Sequence, residues 1–216
     1  MMMSLFISFD PSTNLFNLNW MSLLIWFYFI PLIYWLNYSN FMMMFKLIMN
    51  FIYKEFSIIS MNKTNLLLSL SLFFYIILNN FMGLFPYIFT NTSHMTLNFS
   101  LALTMWFSFI LFNWMNYTNK MFSHLIPNNT PFILMPFMVC IEIISIIIRP
   151  LTLMIRLMAN MISGHLLLTL LGNIKLNFMS LMIIPIQMTL NILELSISMI
   201  QAYVFSILIT LYLSEN

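Results

Sequence analysis

The chain has 216 residues, 62% of them hydrophobic and only 6% charged, where a soluble domain carries roughly a quarter. That balance excludes a separate soluble globular domain, and the formal net charge of +2 excludes a nucleic-acid-binding face. A single cysteine, Cys140, excludes an internal disulfide and a multi-cysteine metal site.

The first residues, "MMMSLFISFD", lack a basic n-region and a small-residue cleavage site, so neither a signal peptide nor a transit peptide is expected. The bias to Met and Phe, 23 each against 3 Gly, follows AT-rich codons and suggests an organelle-encoded gene. A first uncharged run at 15–36 is long enough to cross a hydrocarbon core. In "FMMMFKLIMNFIYKEFSIIS", residues 41–60, Phe41, Phe45, Ile48, Ile52, Phe56 and Ile59 recur at helical spacing with Lys46, Asn50 and Lys54 off the stripe. An in-plane amphipathic helix is expected, with an irregular polar loop as the alternative. Runs at 66–89 and 95–118 predict two transmembrane helices joined by "TNTSH" as a tight hairpin at the membrane surface, with Gly83 and Pro86 marking the end of the first.

After a polar connection around "NKMFSHLIPNNTP", the segments 132–172 and 176–213 set the architecture, separated by "GNIKLN". Forty-one helical residues extend roughly 60 Å, about twice the hydrocarbon thickness. A break at Pro150 would leave irregular backbone facing lipid, since no polar connecting residues lie there. One steeply tilted helix, kinked at Pro136 and Pro150, is therefore expected. The last segment is expected to run antiparallel beside it, with an irregularity near Pro185. The fold class is an all-α integral membrane protein, one membrane domain over 1–216 with five crossing segments. Lys46, Lys54, Lys63 and Lys120 then fall on one side and Lys175 on the other. The lysine-rich side is read as the inner one, which puts the N-terminus outside and the C-terminus inside.

Within the apolar segments the ionisable acids and bases, tyrosines and Cys140 aside, are Glu142, Arg149, Arg156, His165 and Glu194, all on the last two segments. A charge near mid-bilayer costs at least about 2.5–3.5 kcal/mol on insertion scales, so each is a functional candidate or half of an ion pair. Glu142, Arg149 and Arg156 recur every seven residues, which drifts only about 20° per heptad, and Asn160 extends their stripe. His165, nine residues past Arg156, falls on the opposite face. On the last helix Gln187, Glu194 and Gln201 are again seven apart, flanked by Asn191 and Ser198. Two readings stay open: a structural core in which arginines neutralise glutamates with amides as hydrogen-bonding glue, and a proton path. His and Glu can pass protons, whereas a guanidinium stays protonated and suits blocking the path or attracting a mobile carboxylate.

"RPLTLMIRLMANMISGHLLL" resembles the signature of the subunit a family of ATP synthases, the static membrane subunits beside the rotating c-ring. "NNFMGLFPYIFTNTSHMTLNFSLAL" and "NILELSISMIQAYVFSILITLYL" are similar to two further blocks of that family, and the wording is most like arthropod mitochondrial versions. By motif, the resemblance implies that Arg156 is the family's essential arginine and Asn160 its neighbouring asparagine. It implies that His165 and Glu194 line the half-channel from the outer side. Gln201 would pack near the arginine, and Glu142 would be the acid of the matrix-side half-channel. Arg149, outside the shared motif, together with Gln187, Asn191 and Ser198, is left as accessory. The family implies no cofactor and no metal. Its partners are the c-ring, the peripheral-stalk subunit b and small membrane subunits in the mitochondrial inner membrane, and this subunit performs no bond chemistry. The link "GNIKLN" is short for the family.

Other classes fit less well. A haem-bearing redox subunit needs paired axial ligands, but only His165 of the three histidines lies in a long apolar helix, His94 and His124 being in connections. An antiporter-like pump would place lysines inside its spans, and there are none. A purely structural assembly subunit predicts that changes at Arg156 harm assembly and proton flux together.

Overall fold

With no water in a bilayer to take up N–H and C=O groups, a chain this apolar must satisfy its backbone internally. The computed structural model does so with helices alone among the described residues, which are 6–12, 17–31, 39–60, 63–116, 118–126, 131–172 and 180–214. A 3-10 helix, Leu18–Phe29, stands within the first expected span. The flanks of that span, at 13–16 and 32–38, lie outside the described residues, as does Lys175 in the link between the last two segments. Six α-helices follow: α1 (Asn40–Ile59), α2 (Lys63–Gly83), α3 (Met95–Asn116), the short α4 (Thr118–His124), α5 (Met135–Gly172) and α6 (Ser180–Ser214). Four segments are long and apolar enough to cross a membrane: Lys63–Gly83, Met95–Asn116, Phe132–Gly172 and Ile183–Leu211.

Helix α1 starts at an N-cap, Ser39, whose side chain accepts from the Met42 N–H, and ends where the Ser60 N–H donates to the Phe56 carbonyl. Its stripe is not equally buried: Ile52 and Phe56 enter the core, while Phe41 and Ile48 stay exposed. Phe56 meets Phe73 of α2 edge-on and stacks on Tyr203 of α6, with ring centroids 6.3 Å apart in both pairs. The Tyr203 hydroxyl donates to Glu55 Oε2 at 3.0 Å, so α1 is fastened to the last helix by both an apolar and a polar contact.

Helix α5 runs unbroken through Pro150, which lies inside it, and a 3-10 turn, Phe132–Leu134, leads into it. Its 38 residues span about 57 Å, and the 35 of α6, with Pro185 inside, about 52 Å. Helix α6 packs against α5 but more extensively against α2, while α5 also packs on α3. The reason lies in a row of small residues: Ser198, Ala202, Ser206 and Thr210 follow one another every fourth position of α6 and are all buried. Small side chains let helix backbones approach closely in lipid. The Ser198, Ser206 and Thr210 hydroxyls donate to the carbonyls of Leu195, Tyr203 and Ile207 in their own helix, so their burial leaves no donor unmet.

The connection between α2 and α3 packs inward, where a surface hairpin is expected from the sequence. Thr90, Asn91, Thr92 and Ser93 are buried, and the 3-10 turn Asn91–Ser93 rests on α2, α3 and α5. Polar side chains make this possible. Asn98 Nδ2 donates to the Thr92 carbonyl at 2.7 Å, and Asn91 Nδ2 to Ser22 Oγ at 2.6 Å.

Candidate functional site

The row of small residues on α6 continues upward to Glu194, four residues before Ser198, so its carboxylate points into the bundle and is 8% exposed. Opposite it stands Gly164 of α5. A Cβ there would lie 2.9 Å from Glu194 Cδ, so the carboxyl group rests directly on the glycine backbone. Around them is a cavity of about 100 Å³ whose polar lining comes from Asn80 of α2, Asn160 and Ser163 of α5, and Glu194, Ser198 and Gln201 of α6. Both oxygens of Glu194 and both amide atoms of Asn80 are buried there without a hydrogen-bond partner among the described residues. Unmet buried groups of this kind cost about 1–3 kcal/mol each unless water reaches them, and a cavity of this volume has room for water beside them.

A second cavity, of about 360 Å³, lies further down α5. Glu142, Arg149 and Pro150 of α5, Trp106 and Asn113 of α3, and Phe205 and Ile209 of α6 are among its walls. Leu153 and Phe205, in the wall of the larger cavity, and Leu157, in that of the smaller, belong with Ala202 to one buried apolar core. The heptad stripe on α5 is therefore divided. Glu142 and Arg149 face the larger cavity and Asn160 the smaller one. Arg156 lines neither, sits exposed at the level of the apolar core, and has no hydrogen bond or ion pair among the described residues. Along the axis it lies about 10 Å from Arg149 and about 6 Å from Asn160.

His165 turns to another side. Its ring meets Phe9 edge-on, with centroids 5.5 Å apart, and its buried Nδ1 has no partner among the described residues. It neither lines the Glu194 cavity nor hydrogen-bonds to Glu194, although Gly164 beside it touches that carboxyl. Gln187 and Asn191 are half-buried outside both cavities. The structure thus brings Asn160, Glu194, Ser198 and Gln201 to one site and Glu142 with Arg149 to another, and leaves Arg156, His165, Gln187 and Asn191 apart from both.

Two features go beyond the sequence reading, which passes over Asn80 and places His94 simply in a connection. Asn80 was legible only as one of an adjacent pair of asparagines in an apolar span, and nothing in the pair tells which faces inward. Asn79 spends its amide on the Tyr75 carbonyl at 2.9 Å, and Asn80 spends none. The second is His94, whose ring lies between Trp20 and Phe89 at centroid distances of 5.2 and 5.0 Å. Burial lowers its pKa from the ordinary value, partly opposed by a hydrogen bond with the Phe9 backbone. No cluster of His, Cys, Asp and Glu among the described residues could hold a metal ion.

Four long apolar helices, two of them nearly twice the hydrocarbon thickness of about 30 Å and bordering cavities that reach ionisable side chains, define a multi-pass α-helical membrane protein with ionisable groups built into its interior. Comparison with known proteins makes the class specific. Residues 14–214 match the family described as ATP synthase A chain, and the chain belongs to that family. Proteins named ATP synthase subunit a are similar over its whole length. That of Locusta migratoria is 54% identical, that of Drosophila melanogaster 51% and that of Anopheles gambiae 50%, with 100% of this chain and 99% of each relative covered.

Proposed function

We propose that this chain carries protons across the mitochondrial inner membrane by two offset half-channels that meet a rotating ring of carboxylates at Arg156. As a member of its family it is a membrane-sector subunit of ATP synthase and takes part in proton transport. The finer reading rests on one observation: two cavities on the same helix pair hold different ionisable groups, Glu142 with Arg149 in one and Glu194 in the other, and Arg156 lies exposed on α5 between the levels of Arg149 and Asn160.

The smaller cavity is the outer half. Water held there passes a proton to Glu194, with Asn160, Ser198 and Gln201 as hydrogen-bonding lining and His165 at the outer end of α5. The proton neutralises a carboxylate of the c-ring, which then enters lipid at low cost. The larger cavity is the inner half, in which Glu142 receives the proton when the ring has turned. Arg149 lines the same cavity as Glu142. The apolar core denies protons a direct route, and Arg156, always charged, draws the ring carboxylate into its ionised form and repels a passing proton. Each charge moved yields about 2.3 kcal/mol per 100 mV of membrane potential. The chain contributes the path and the separator, while bond chemistry belongs to other subunits. Its partners are the c-ring, the peripheral-stalk subunit b and small membrane subunits, with its N-terminus toward the intermembrane space and its C-terminus toward the matrix.

Replacing Glu194 by Gln in the assembled complex tests this reading. ATP-driven proton pumping is expected to fall with subunit content unchanged, and full pumping in that variant would overturn the outer path.

A further inference from the structure

The N-terminal turn reaches two histidines that the Glu194 cavity does not use. Phe9 lays its ring edge-on against His165 of α5, with centroids 5.5 Å apart, and its backbone is hydrogen-bonded to the ring of His94. His94 is in turn held between Trp20 and Phe89. Residues near a chain terminus are poorly ordered unless something ties them down, and here the ties are polar. Asn19 Nδ2 donates to the Asp10 carbonyl at 3.2 Å, and the Ser12 N–H donates to Asp10 Oδ1 at 3.0 Å, closing the turn. What these ties hold in place is an aromatic cover on an imidazole whose Nδ1 is buried with no partner among the described residues. The two nitrogens of a histidine are distinct. With Nδ1 shielded, proton exchange is left to Nε2, which is not among the buried unpartnered atoms.

We propose that Phe9 is a positioning residue for His165, fixing the imidazole so that one nitrogen alone exchanges protons with the outer side. This deepens the half-channel reading and rests on it. The Phe9 ring itself neither takes nor gives a proton. An edge-to-face contact sets the angle of the ring it meets, and a histidine with its angle set offers the same nitrogen at every turnover. The titratable groups brought to this end of α5 are Asp10 of the same turn, His94 of the connection between α2 and α3, and Glu194 of α6. Asp10 is exposed and accepts from Ser12, His94 is bonded to the Phe9 backbone, and Glu194 rests on Gly164. None of the three hydrogen-bonds to His165, so the contact that orients its ring is the one with Phe9.

The test uses the assembled ATP synthase in inner-membrane vesicles, stripped of the catalytic head for passive proton flux, with subunit content measured alongside. Phe9→Ala is expected to lower flux per complex by about two- to tenfold, as loss of one aromatic contact implies. Phe9→Tyr, which keeps the ring, is expected to retain it. In a His165→Gln background the Phe9→Ala change is expected to cost nothing further, because a residue that acts through the histidine has nothing left to position. A structural role alone would lower flux equally in both backgrounds. Undiminished flux in Phe9→Ala, or a loss that recurs in full beside His165→Gln, overturns this inference and leaves the parent reading intact. Full pumping in Glu194→Gln overturns the parent reading itself. Should His165→Gln carry no measurable flux, the dependence of flux on outer-side pH decides. The Phe9→Ala profile is expected to be displaced from those of wild type and Phe9→Tyr, and coincident profiles overturn the inference. Should Phe9→Ala fail to assemble, Phe9→Leu, which keeps an apolar cover without the ring edge, takes its place.

Discussion

Gly164→Ala probes the placement of the buried carboxylate most finely. The added methyl would sit 2.9 Å from Glu194 Cδ, 3.0 Å from Oε1 and 3.1 Å from Cγ, and ordinary contact begins at 3.4 Å, so the carboxyl must retreat by about 0.5 Å. Overpacking of this kind costs about 1–3 kcal/mol. The obstructed atoms are the end of a side chain that can swing, which puts the cost near the lower limit, about 1 kcal/mol or a factor of about five. The complex should therefore assemble, while ATP-driven acidification of inner-membrane vesicles falls by about that factor because the carboxylate proposed as proton acceptor has left its place. Gly172→Ala serves as the control, since its Cβ would meet nothing within 4 Å, and it should pump normally. If Gly164→Ala pumps as well as Gly172→Ala, close packing against the glycine is not what positions Glu194.

Phe56→Ala removes a fully buried ring that joins α1, α2 and α6, a loss of about 3–5 kcal/mol that should lower the amount of assembled complex on native gels. Tyr203→Phe keeps the stack on Phe56 and removes only the hydrogen bond to Glu55, so thermal stability should drop by about 1 kcal/mol with pumping intact. Since burial lowers the pKa of His94, the folded connection holds the neutral ring. Its stabilising contribution is complete above the ordinary value of 6.5 and is lost as pH falls through that value toward the lowered one. Wild type should therefore lose thermal stability relative to His94→Gln as pH falls below 6.5, and parallel curves would contradict this.

Much of the architecture was legible because lipid simplifies the choice: apolar length and the lack of polar connecting residues at Pro150 leave little besides one long α5. The heptad spacing of Glu142, Arg149 and Arg156 placed them on one stripe, but spacing alone could not show that packing at Leu153 and Leu157 divides it into two cavities and an exposed arginine. On α6 the four-residue row running from Glu194 to Thr210 faces the bundle, rather than the seven-residue seam of Gln187, Glu194 and Gln201. Small residues give a weak hydropathy signal, and their meaning appears only with the partner helix in place. The connection at Thr90–Ser93 read as a surface turn because its residues are polar. Its burial depends on Asn98, Ser22 and Gly83, which come from three other segments.

Arg156→Ala tests the central claim most directly, with passive proton flux measured through the assembled membrane sector alongside ATP-driven pumping and subunit content. The account predicts normal assembly, loss of coupled pumping and the appearance of a proton leak, because the fixed charge between the two cavities is gone. Coupled pumping that survives in a normally assembled complex would contradict it and reduce Arg156 to a structural residue.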